Sequence, residues 1–90
     1  MQFIHTELGF RNAGDVVEVT LTAGANVRLM DSSNFNAYRS GRQHRYIGGL
    51  ARQSPVRLRI PDSGTWHVAV DMQGLRGSTN VSVNVIAAGP

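Results

Sequence analysis

Ninety residues make one domain: surface scaling leaves roughly 5,200 Å² exposed of about 14,000 Å² on the extended chain, enough for one thin core and little room for a walled-off active site. The chain has no cysteine, which excludes disulfides, thiolate nucleophiles, cysteine zinc sites and iron–sulfur clusters and leans the expected location towards the cytoplasm. The opening Met1–Gly9 lacks the basic and apolar regions of a signal peptide, no stretch approaches the ~20 apolar residues of a membrane span, and the net charge of +3 is modest.

In chain order, alternation with a period of two is the dominant signal. A less regular first strand covers about 2–8, with Ile4 and Leu8 on its inner face. Within 15–22, Val17, Val19 and Leu21 oppose Glu18, Thr20 and Thr22; within 26–30, Val27 and Leu29 flank Arg28. Further on, 55–60 alternates Val56, Leu58 and Ile60 with Arg57 and Arg59. In 65–71, Trp66, Val68 and Val70 alternate with His67, Ala69 and Asp71, and in 79–86 Val81, Val83 and Val85 alternate with Asn80, Ser82 and Asn84. Turn chemistry separates them at Asn12–Asp15, Ala23–Ala25, Pro61–Gly64 and Gln73–Gly77. The pattern predicts an all-β fold, a small antiparallel β-sandwich or partly open barrel of six or seven strands, each with one wet face. Trp66 is expected in its core.

Residues 31–54 break the rhythm. Asp31, Ser32 and Ser33 offer caps for a short helix through about Arg39, with Gly41 just beyond, and Gly48-Gly49 reads as a bend before a strand restarts at Pro55. A connection of about 24 residues is long for such a domain, and long ordered loops tend to be functional; Phe35, Tyr38, Tyr46, Ile47 and Leu50 give this one groups to dock. It also carries the whole net charge: Arg39, Arg42, Arg45 and Arg52 stand against Asp31 alone, while elsewhere five arginines balance five carboxylates. Every basic residue is arginine, the residue suited to forked recognition of carboxylate or phosphate. Coding bias in a GC-rich genome, which the many Ala, Gly and Val residues also fit, is the better explanation of the chain-wide preference, because a binding site is local.

The run Asn26-Val27-Arg28-Leu29-Met30-Asp31-Ser32-Ser33-Asn34-Phe35-Asn36-Ala37-Tyr38, followed by Gly41-Arg42, His44-Arg45-Tyr46, Gly48-Gly49, Ser54-Pro55-Val56 and Ser63-Gly64-Thr65-Trp66-His67-Val68, resembles a family of small bacterial domains of unknown function. The resemblance covers nearly the whole chain and is densest over 26–70. It implies a compact all-β domain of bacterial or phage origin, found alone or beside a TIR-like domain, and so hints at a sensing or interaction role in defence signalling. It brings no catalytic residues.

The candidate ligand-binding set is Asp31, Tyr38, Arg39, Arg42, His44, Arg45 and Tyr46: the arginines supply charge, the tyrosines stacking faces, and Asp31 fixes the loop. The expected partner is an anionic ligand or a protein; four arginines without an RRM, OB or KH signature put nucleic acid behind these. The competing reading is that the arginines pair with Glu18, Asp31 or Asp71, or are simply solvated. His5 and His67 face each other on neighbouring strands in this scheme, and His44 would complete a three-imidazole metal site, but none has close ligand spacing. Ser32, His67 and Asp71 can be drawn as a nucleophile triad without a Gly-x-Ser-x-Gly elbow. The expectation is therefore a non-enzymatic module with no metal or cofactor. A structural homo-oligomer built on open sheet edges is the alternative, and a carbohydrate-binding sandwich is a further one should Trp66 be exposed.

Overall fold

The structure, a computed structural model, describes residues 2–88. Seven strands and one helix follow in the order β1 (Ile4–Arg11), β2 (Val16–Leu21), β3 (Ala25–Asp31), α1 (Ser32–Arg39), β4 (Ile47–Ala51), β5 (Val56–Arg59), β6 (Gly64–Asp71) and β7 (Val81–Ile86). They form two antiparallel sheets, β1-β6-β3-β4 and β5-β2-β7. The alternation explains the layering. Val17, Val19 and Leu21 of β2, with the half-buried valines of β7, face Ala25, Val27 and Leu29 of β3 and Trp66, Val68 and Val70 of β6. Burying one face of each sheet against the other removes these side chains from water at about 25 cal/mol per Å². The expected β-sandwich is present, as two open sheets.

Three sequence expectations are corrected. β4 lies where a bend was expected: Gly48 and Gly49 pair with Arg28 and Val27 across the β3–β4 ladder. Gly48 has φ +119°, and a Cβ there would collide with the Val27 carbonyl oxygen, so the tight approach of the two strands requires glycine. The first strand starts at Ile4 and runs on to Arg11, with an irregularity between Glu7 and Gly9 as it pairs with β6. Leu8 is buried as expected, but Ile4, on an edge strand, is 43% exposed. Finally, the supposed wet face of β6 is covered: His67, Ala69 and Asp71 are all buried.

What covers it is α1. Asp31 caps the helix as its sequence suggested, accepting from the Asn34 backbone N–H at 2.9 Å, and Gly41 lies just beyond its end at φ +73°. Phe35 and Tyr38 point down onto the outer face of the four-stranded sheet, forming a second apolar cluster with Met30, Ala69 and Phe3. The domain thus has three layers, with the larger sheet between the smaller sheet and α1; the excursion supplies the outer layer through α1 and the edge strand β4 of the larger sheet.

Candidate functional site

The base of the excursion is a polar hub built on Asp71. Its carboxylate accepts from the Tyr38 hydroxyl at 2.7 Å, from Asn26 Nδ2 at 2.8 Å, from Arg28 Nε at 3.1 Å and from the Gln73 backbone N–H at 3.1 Å. Burial alone pushes the Asp71 pKa up, but these donors together outweigh it and hold the group below its ordinary value. Burial is also the chief reason the Tyr38 hydroxyl titrates well above its usual range, with the neighbouring Asp71 carboxylate adding to it. Burial works against the Arg28 cation, and the Asp71 bond and charge more than restore it. One carboxylate therefore joins β3, β6 and α1.

Above the hub the aromatic groups are layered. The Arg28 guanidinium sits 4.5 Å from the Tyr46 ring centroid and 5.5 Å from that of Tyr38, a cation held between two π faces. His44 meets Tyr38 edge-on at 5.1 Å and donates from Nδ1 to the Arg42 carbonyl at 2.9 Å; its Nε2 is buried with no hydrogen-bond partner among the described residues. The Arg45 backbone N–H donates to Asn34 Oδ1 at 2.8 Å, fastening the segment after α1 to the helix. A hollow of about 140 Å³ opens here, with Asp31, Asn34, Arg45, Tyr46 and Trp66 among its lining residues.

The seven sequence-selected residues thus divide. Arg39, Arg42, Arg45 and Tyr46 are exposed. Tyr38 is 1% exposed and bonded to Asp71, so its stacking face is spent on the interior, and the Asp31 carboxylate is spent on the helix cap. Arg52 stands apart: it follows Ala51, which pairs with Ala25 at the far end of β3 from the Leu29–Ile47 pair. Sequence reasoning missed Arg28 and Asn26, which pattern alone placed on an ordinary wet strand face.

The carboxylates proposed to neutralise the excursion are otherwise engaged. Glu18 pairs with Arg57 at 2.9 Å and Asp71 with Arg28 at 3.1 Å; among the described residues no carboxylate lies within ion-pairing distance of Arg39, Arg42 or Arg45. His5 and His67 do meet, with Nε2 and Nδ1 2.9 Å apart, while His44 lies in the Tyr38–Tyr46 layer instead. Ser32 Oγ is 2.8 Å from His67 Nε2, but Asp71 belongs to its own network, and the third member of that chain is His5. Trp66 is 7% exposed and donates from its indole nitrogen to the Asp62 carbonyl. No helix among the described residues is long and apolar enough to cross a membrane.

A family model described as a domain of unknown function (DUF1883) matches residues 1–89. No curated protein and no solved structure matches the chain.

Proposed function

We propose that this chain, which belongs to the DUF1883 family, is a non-enzymatic binding module that presents the excursion after β3 to an anionic ligand or to the acidic surface of a protein partner. The supporting observation is that Arg39, Arg42 and Arg45 are exposed and, among the described residues, have no carboxylate partner, on a segment pinned at its base by Asp71. A guanidinium left without a carboxylate keeps its forked donors for a partner, and the side chains around it are already ordered, which lowers the entropy lost on binding. Tyr46, its ring backed by Arg28, is the remaining stacking face. Asp31 and Tyr38 become supports rather than contacts. The bacterial origin and TIR-like neighbour implied by the family resemblance, and the cytoplasmic location towards which the absence of cysteine leans, belong to the same proposal, and a sensing or interaction role suits such a module.

Chemical-shift mapping with tripolyphosphate and with a short polyglutamate peptide tests the reading. Perturbations confined to the amides and guanidiniums of Arg39–Tyr46 are expected, and shifts spread evenly over all nine arginines would contradict it. A homo-oligomer is the second reading, favoured by Ile4 and Phe10, 43% and 65% exposed on the edge strand β1. Light scattering across a dilution series separates the two. The carbohydrate reading loses the exposed tryptophan on which it stood.

A further inference from the structure

Two imidazoles meet edge to edge beneath α1. His5 Nε2 and His67 Nδ1 are 2.9 Å apart, with ring centroids 5.1 Å apart and planes inclined by 28°. Such a contact needs one nitrogen to donate and the other to accept. The other nitrogen of His67 meets Ser32 Oγ at 2.8 Å, and the Phe35 ring lies flat across both imidazoles at 4.1 Å and 4.7 Å. Ser32 and Phe35 are neighbours on one helix face. Two attachments of the first turn of α1 therefore rest on the same histidine pair, beside the packing of Phe35 on Phe3, Met30 and Ala69 and the Arg45 N–H bond to Asn34.

We infer that the His5–His67 pair is a proton-controlled clasp, which holds the first turn of α1 on the sheet while at most one of the two rings is cationic and loosens it when both are, the Tyr38–Asp71 bond keeping the far end in place. With both rings neutral, His67 Nδ1–H donates to His5 Nε2 and Ser32 donates to His67 Nε2. One added proton is accommodated: a cationic ring still donates across the pair to its neutral neighbour, and His67 Nε2–H turns to donate to Ser32. A second proton places hydrogens on both facing nitrogens and like charges on adjacent rings, and the contact is lost. His5 is exposed, so solvent protons reach the pair directly.

Burial of His67 is the first cause that sets where this happens, since it disfavours the cation, the neighbouring His5 acts in the same direction, and the surrounding charges follow. Glu7, two residues along β1 and opposite His67 in the ladder, and Asp31 at the head of α1 favour the cation. Arg39, from the last helical turn, opposes it. Arg28 on β3 and Asp71 on β6 are committed to each other. The inference rests on the binding reading in one respect: what the clasp controls is the presentation of Arg39, Arg42 and Arg45. It predicts an uncommon sign, since acidification adds positive charge yet disperses the arginine surface.

The test is amide hydrogen exchange of the ligand-free full chain between pH 7.5 and 4.5, corrected for intrinsic rates. Protection of residues 35–39 is expected to fall about tenfold per pH unit once the second proton binds, while residues 27–29 in the core stay protected. His5→Gln places an oxygen acceptor that serves His67 in either protonation state, so this variant should keep α1 protected throughout. Equal pH courses in the variant and the parent, or flat protection in the parent, would overturn the clasp. Imidazole nitrogen titration of the unmodified protein gives the second check: two separated protonation steps, the lower coinciding with loss of the Phe35 ring-current shifts, support it, and a single common step with the helix unmoved contradicts it. No ligand enters either measurement, so both stand whether or not the arginines bind an anion.

Discussion

Replacing Asp71 with alanine should remove more stability than any other single polar truncation in this domain. Its carboxylate is 2% exposed and is shared by Tyr38, Asn26, Arg28 and the Gln73 N–H. Taking it away leaves the Arg28 guanidinium, only 16% exposed along its side chain, without its counter-charge, a loss of about 3–5 kcal/mol for a buried pair. The orphaned Tyr38 hydroxyl and Asn26 amide each add a further penalty that does not sum simply, so about 4 kcal/mol is the working figure. At about 4–8 °C per kcal/mol for a domain of this size, the melting temperature should drop by about 15–30 °C. Tyr38→Phe removes one charge-assisted hydrogen bond alone and should cost about 1.5–3 kcal/mol. Urea melts of both variants, followed by tryptophan fluorescence, measure the two values on one scale. An Asp71→Ala loss below about 1 kcal/mol, or a larger loss for Tyr38→Phe, would refute the hub.

Other consequences follow from the same geometry. Gly48→Ala forces a Cβ against the Val27 carbonyl at a φ of +119° and should cost about 1–3 kcal/mol by urea melt; a neutral effect would mean that β4 is not held against β3 in this way. Acid should unfold the protein partly through Asp71. Its folded pKa lies below that of the unfolded chain, so its contribution is complete above pH about 4 and is lost as the pH falls from there through the folded value. The change in urea midpoint between pH 6 and pH 3 should therefore shrink in Asp71→Asn, and an unchanged difference would contradict the assignment. His67 acts in a higher window. Burial lowers its pKa, so the unfolded chain takes up the proton first and stability declines as the pH drops below about 6.5. Denaturant melts of His67→Asn at pH 7.5 and 5.5 should show a smaller difference than those of the parent.

The sandwich was legible because its two inner faces are made by alternation alone: β2, β3, β5, β6 and β7 each carry an apolar residue on every second position. The helix was legible for a local reason, an Asp31 cap and a Gly41 stop. β4 was not, because Ile47-Gly48-Gly49-Leu50-Ala51 has neither alternation nor β-branched density after its first residue, and its glycines serve a close approach to Val27 that only the fold creates. Nor did the pattern foresee that α1 would cover His67, Ala69 and Asp71; alternation assigns a residue to a face but not what lies on that face. The same blindness misplaced the candidate site by one layer. Tyr38 and Asp31 were chosen for their chemistry and are consumed by the scaffold, while Arg28, charge-balanced in the sequence tally, proves to be the cation that seats Tyr46.

The proposed binding by Arg39, Arg42 and Arg45 depends on a local surface rather than on net charge. Calorimetric titration with tripolyphosphate separates these, using two double variants of equal charge. Arg42→Ala/Arg45→Ala should abolish binding at unchanged melting temperature, and Arg57→Ala/Arg59→Ala, which strips the same two charges from β5, should leave it intact. Equal weakening by both pairs, or unchanged binding in the first, would contradict the account.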